Sequence, residues 1–221
     1  MAEDTGYDLV VFDFDGLVDS GFDGFECALK ARQEVVEENG WNIDLNGFEQ
    51  GIEPHHSEDL EPFLEEKDIS WKQLQFLEER VAERKIEMAR NGKIKLFPDT
   101  EKVLGEIKAD KAVVTNAYGG HLREMLEALG ISEHFRHVTG PRLSNIESYR
   151  ERMKPEAAML KDAREKFGAE RAVMVGDQIE DILAARKAGM DSIHVNRDGE
   201  KIPRADYEVS ELSQISEIVQ D

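Results

Sequence analysis

The chain has 221 residues, with 48 Asp and Glu against 28 Lys and Arg, a formal net charge of -20 at neutral pH. Acids dispersed along the whole chain, with no basic patch, repel nucleic acid and anionic membrane surfaces and exclude both as partners. One cysteine, Cys27, allows no internal disulfide, no apolar run approaches the roughly 20 residues that span a bilayer, and the start Met1-Ala2-Glu3-Asp4 is acidic where a signal peptide is basic; a cytoplasmic protein held by packing is expected.

Val10-Val11-Phe12 is an apolar, β-branched run too short for a helical period, and it leads into Asp13, Asp15, Gly16 and Asp19. This predicts a buried strand with a charged tip. Alternation along a strand would send Asp13 and Asp15 out on the same side and turn Phe14 into the packed layer. From about Phe22 to Ile94 the signals are helical. Phe22, Phe25, Leu29 and Val36 share a face that Gly40 ends, and Ser57-Glu58-Asp59-Leu60 caps a short helix carrying Phe63 and Leu64. Trp71, Leu74, Leu77, Val81 and Met88 keep helical spacing as far as Asn91-Gly92.

Strand and helix signals then alternate. A helix with Val103, Leu104 and Ile107 precedes the strand Val113-Val114, which ends in Thr115 and Asn116. In Tyr118-Gly119-Gly120 the backbone is free to approach a bound group closely. A helix with Leu122, Met125, Leu126 and Leu129 stops at Gly130, His137-Val138-Thr139 reads as a short strand, and Pro141 to Arg152 reads as a loop. Pro155, just after Lys154, opens a helix with Met159, Leu160, Ala163 and Phe167. The strand Ala172-Val173-Met174-Val175-Gly176 ends in Asp177, with Asp181 one turn along the next helix. A strand at Ser192–Val195, an edge strand at Tyr207–Val209 and a last amphipathic helix with Leu212, Ile215, Ile218 and Val219 follow. Alternation of this kind predicts an α/β fold, a Rossmann-like, doubly wound parallel sheet with a run of helices inserted after its first strand.

Three strands thus end in polar groups, at the edge where open α/β sheets place ligands. Asp13 and Asp15 lie close enough to call for a cation. Taken singly, each residue also has a plain structural role: aspartates cap helices, Thr115 finishes a strand, and Lys154 lies near a helix start. Taken in order, Asp13/Asp15, Thr115, Lys154 and Asp177/Asp181 resemble the four motifs of the haloacid dehalogenase superfamily, and the resemblance covers most of the chain. It implies a catalytic core over 1–16 and 95–221 with a helical cap domain over 17–94. It further implies a phosphoglycolate phosphatase-like, Mg²⁺-dependent hydrolase of a small phosphorylated metabolite, monomeric or homodimeric, working through an aspartyl-phosphate.

By the same resemblance, Asp13 is the nucleophile and Asp15 the general acid, then the base. Mg²⁺ is held by Asp13, the backbone carbonyl of Asp15 and Asp177, while Asp181 orients the metal's waters or Lys154. Thr115 and the Asn116 backbone bond phosphoryl oxygens, and Lys154 neutralises charge on phosphate and Asp13. A phosphomutase of the β-phosphoglucomutase type and a non-catalytic binding module are the alternatives. One departure stands out: the family usually has three residues between the first-motif glycine and the next acid, whereas Gly16-Leu17-Val18-Asp19 has two, which bears on lid geometry. Asp19 and Ser20 lie at the mouth of the site or cap the following helix, and His55-His56 forms a solvated turn or touches substrate. No His or Cys spacing points to zinc. The dispersed acid also resembles the surfaces of proteins from salt-loving organisms.

Overall fold

Four successive residues, Leu9–Phe12, are fully buried, so this strand (β1) has no solvent face and needs a packed layer on each side. The computed structural model describes residues 6–19, 21–45, 57–141, 145–197, 199 and 205–220, with backbone only for 21–25 and 57–59. The expectations for Ser20, for the side chains of Phe22, Phe25 and Ser57, and for His55-His56 lie outside the described residues.

After β1 comes a 3-10 turn, Asp15–Leu17, and the short strand β2, Val18–Asp19. Three helices follow: α1 (Gly21–Asn39), α2 (Ser57–Glu66) and α3 (Trp71–Arg90). The chain returns through β3 (Lys95–Leu96), α4 (Thr100–Glu106), β4 (Asp110–Val114), α5 (Leu122–Ala128), β5 (His137–Thr139) and α6 (Ile146–Arg152). It finishes with α7 (Ala158–Phe167), β6 (Ala172–Gly176), α8 (Ile179–Ala188), β7 (Asp191–Val195), β8 (Tyr207–Val209) and α9 (Ile215–Gln220).

The six-stranded sheet has the order β5-β4-β1-β6-β7-β8, and each neighbouring pair is parallel. The chain runs outward from β1 through β4 to β5, then returns to the other side of β1 with β6. That reversal opens the crevice beside β1 where ligands of open sheets sit. Alternation sends Val10 and Phe12 into a layer with α4, α5 and α9, and Leu9 and Val11 into a layer with α7 and α8. The sheet is doubly wound, as the alternating pattern predicts.

The inserted helices have their own apolar cluster of Val35, Leu60, Leu64, Ile69, Leu74 and Leu77. On α1 the buried stripe is Ala28, Ala31, Arg32 and Val35, leaving the expected Leu29 and Val36 half-buried at its flank. Arg32 is tolerated there because its Nε and Nη2 both donate to Glu78 Oε1 on α3, at 3.0 and 2.9 Å.

Two local expectations need correction, and one feature is new. Pro141 to Arg152 is not a loop throughout: α6 forms because Asn145 Oδ1 accepts the Ser148 amide at 2.8 Å and because Tyr149 and Met153 bury themselves in the cluster of the inserted helices. Pro155 does not open α7, which starts three residues later at Ala158; Pro155 belongs to a turn closed by Glu156 N–H to Met153 O at 2.7 Å. The antiparallel pairing of β2 with β3, Val18 beside Leu96 and Asp19 beside Lys95, was not expected at all. Strands of two residues carry too little pattern to read.

Candidate active site

The ends of β1, β4 and β6 lie side by side, and each places its functional residue just past the last strand position. Asp13 N–H still donates to Val175 O at 2.9 Å, but the backbone of Phe14 is already helical, with φ -70° and ψ -46°. The chain therefore turns back on Asp13, whose Oδ2 accepts the amides of Asp15 at 3.0 Å and Gly16 at 3.4 Å. The strand alternation invoked for Asp13 and Asp15 does not reach Asp15. Asp15 is the exposed first residue of the 3-10 turn, while Phe14 is buried in the core as expected.

Lys154, 3 % exposed, comes from the end of α6. Its Nζ donates to Asp13 Oδ1 at 2.6 Å and to Asp181 Oδ1. Its main chain is bracketed by one side chain: Lys154 N–H donates to Asn116 Oδ1 at 2.8 Å and Lys154 O accepts from Asn116 Nδ2 at 2.9 Å. Asn116 thereby ties the end of β4 to the lysine, a role the sequence reading missed because an amide after a threonine carries no signal for it. Thr115 is 1 % exposed, and its Oγ1 accepts the Ala117 amide at 3.1 Å.

On the other side of β1, Asp181 Oδ2 accepts the Gln178 amide at 3.1 Å and so caps α8 while its Oδ1 holds Lys154. Asp181 therefore caps α8 and binds Lys154 at the same time. Gly176 makes this possible, since a Cβ there would lie 2.1 Å from Asp181 Oδ2. The glycines after Tyr118 have a different use from the one expected. A Cβ at Gly119 would meet Gly140 O at 2.7 Å and one at Gly120 would meet the Tyr118 ring at 2.5 Å, so the close approach is to protein.

Oxygens of Asp13, Asp177 and Asp181 lie within 4.8 Å of one another. With all three ionised and only the Lys154 ammonium among them, two negative charges stay uncompensated. The carboxyls respond as electrostatics requires. Burial pushes Asp181 up to about 7, with the charge of Asp13 adding to the rise and Lys154 opposing it. Burial, then the charge of Asp13, also raises Asp177. Burial alone would lower Lys154, but the two carboxylates outweigh it and hold the ammonium above the ordinary lysine range. Asp177 Oδ1 is buried without a hydrogen-bond partner. A hard divalent cation would remove the charge imbalance and satisfy that oxygen, so the donor set fits Mg²⁺. Asp177, whose Oδ1 has no partner, suits direct ligation, whereas both oxygens of Asp13 and both of Asp181 already accept hydrogen bonds. The Asp15 carboxyl is not part of this trio.

A family model described as haloacid dehalogenase-like hydrolase matches residues 10–195. The chain belongs to the haloacid dehalogenase-like hydrolases. A phosphoglycolate phosphatase of Agrobacterium fabrum is 33% identical over 112 residues, which is 50% of this chain and 46% of that protein, so the match spans about half the relative's length. Among solved structures, CbbY from Rhodobacter sphaeroides in complex with phosphate superposes with a TM-score of 0.71 at 20% identity, over 95% of this chain and 96% of that one. A phosphatase of the family from Thermococcus onnurineus gives 0.66 at 21% identity, over 95% and 96% of the two chains. At such identities the structures speak for the shared fold. Among the described residues, no helix is long and apolar enough to cross a membrane.

Proposed function

We propose that this hydrolase is a Mg²⁺-dependent, cytoplasmic phosphatase of a small phosphorylated metabolite, acting through an aspartyl-phosphate on Asp13. The observation that carries the reading is the buried Lys154 ammonium joining Asp13 to Asp181 beside the partnerless Asp177 oxygen. Helices α1 to α3, set between the paired strands β2 and β3, support a cap domain over 17–94 on a core of 1–16 and 95–221. With Asp13 only 5 % exposed, a small substrate suits the site better than a macromolecule.

A phosphate monoester dianion resists attack, so charge must be neutralised, a nucleophile positioned and the leaving oxygen protonated. One Asp13 oxygen forms the new bond to phosphorus as the bond to the substrate oxygen breaks. Asp15 gives its proton to that leaving oxygen; it then takes one from the water that attacks phosphorus, restoring Asp13 and releasing phosphate. Lys154 offsets charge on Asp13 and on the phosphoryl oxygens. Thr115 Oγ1, already accepting from Ala117, has its hydroxyl proton to donate to substrate. Asp13, the carbonyl of Asp15 and Asp177 would hold Mg²⁺, which would supply Lewis-acid stabilisation of the phosphoryl group.

The test is release of inorganic phosphate from a panel of small phosphomonoesters with Mg²⁺ and with excess EDTA. Turnover should need Mg²⁺ and fall by at least about 10³-fold in a folded Asp13→Asn variant. Undiminished turnover in that variant would overturn the reading, and isomerised product in place of free phosphate would assign a mutase.

A further inference from the structure

The turn that leaves the sheet toward the inserted helices is short, yet it carries Asp15, which must stay in register with Asp13. Its outer peptide is gripped from a distant part of the chain. Arg197, two residues past β7, donates from Nη1 to Gly16 O at 3.0 Å. The same guanidinium lies over the Phe97 ring, 3.8 Å from its centroid, and its Nη2 is 3.9 Å from Asp99 Oδ1. Gly16 is on the outgoing crossing to the inserted helices, and Phe97 and Asp99 are on the return. The two crossings are also joined directly, by Phe97 N–H to Leu17 O at 3.1 Å and Thr100 Oγ1 to Leu17 O at 3.0 Å.

We propose that Arg197 is a positioning residue for Asp15. The Asp15 amide is fixed to Asp13 Oδ2 at 3.0 Å, and the carbonyl of the next residue is fixed by Arg197, so the backbone that carries the carboxyl is held at both ends. A planar guanidinium can lie on an aromatic face while its edge donates in plane; an ammonium can do only one of these well. The turn also borders Asp177, since a Cβ on Gly16 would stand 3.8 Å from Asp177 Oδ1. A drift of Gly16 would move the acid, for which a misplacement of about 1 Å is enough to cost two orders of magnitude in rate, while the ordinary van der Waals distance leaves Asp177 room to stay in place.

The inference rests on the phosphatase reading with Asp15 as general acid, and its test separates the two. An alkyl phosphate needs its leaving oxygen protonated, whereas p-nitrophenolate leaves readily without help. In Arg197→Ala, kcat/KM for an alkyl phosphomonoester should fall by about tenfold or more, through kcat, while kcat/KM for p-nitrophenyl phosphate falls by less than about threefold. Arg197→Lys, which keeps a donor for Gly16 O but not the flat contact with Phe97, should recover part of the loss; it also serves as the readout if Arg197→Ala does not fold. Equal losses on the two esters, or a loss wholly in KM, would overturn the positioning role alone. Wild-type protein that hydrolyses neither ester would overturn the phosphatase reading and this inference with it.

Discussion

Replacing Gly176 with alanine would set a Cβ 2.1 Å from Asp181 Oδ2, 2.3 Å from its Cγ and 2.7 Å from its Cβ. Interiors packed to this density cannot absorb such overlap, and the short Asp181 side chain, anchored on the first turn of α8, has to leave. Two interactions go with it. The cap on Gln178 N–H contributes about 1 kcal/mol. Breaking a buried ion pair costs roughly 3–5 kcal/mol, and the retained bond to Asp13 puts Lys154 at the lower end. The sum is about 4 kcal/mol, which for a chain of this length corresponds to a Tm lower by roughly 10 °C. Thermal unfolding followed by circular dichroism on Gly176→Ala, Asp181→Ala and the double variant checks both size and cause. Without Asp181 in the way, the alanine should cost less than about 1 kcal/mol. A double variant that loses the full sum of the two single losses would refute the reasoning.

Asn116→Ala removes both bonds to the Lys154 main chain and should cost about 1–3 kcal/mol, with the loss of turnover appearing in kcat more than in KM; wild-type kcat would contradict it. Mg²⁺ should raise the Tm of the wild type, by an amount equivalent to about 2.7 kcal/mol at a hundred times Kd. Calorimetry on Asp177→Asn should show no such rise, and a Mg²⁺-free Tm no lower than wild type, because a carboxylate raised by burial and by Asp13 has been neutralised. Finally, with a net charge of -20, self-repulsion should be relieved in molar KCl, where the screening length is about 3 Å, so the Tm should exceed that in dilute buffer; an unchanged value would remove the ground for a salt-adapted surface.

The strands that carry the site were legible because β1, β4 and β6 are apolar, short and closed by polar residues, and because burial on both faces leaves no other way to place them. The same signal located Asp13, Thr115, Asp177 and Asp181, and the structure brings their strand ends together around Lys154. Part of what escaped depends on a partner far along the chain, and part on local turns. The α6 segment looks like a loop by itself, since its helicity follows from burying Tyr149 and Met153 among the inserted helices. The place of Asp15 was inferred from alternation, but β1 ends one residue before Asp13, so the 3-10 turn governs instead. Gly176 left a trace in sequence, a glycine ahead of an acid with a second acid four residues on, and steric reasoning could have found its role. Arg197 left none: no local pattern links it to Gly16, 181 positions earlier.

The twenty-residue helix α3 belongs to two cores at once. Its first half, with Leu74 and Leu77, lies in the cluster of the inserted helices, and its last turns, with Ile86 and Ala89, pack in the same layer as Phe12 and Met125. Any exchange of the inserted helices between relatives has to reckon with this helix, which dictates where the cut must fall. A chimera joined at the outer crossings would import foreign side chains into the wall of the main core. One joined within α3, after Val81, would leave that wall intact and exchange the separate cluster of the inserted helices as a unit.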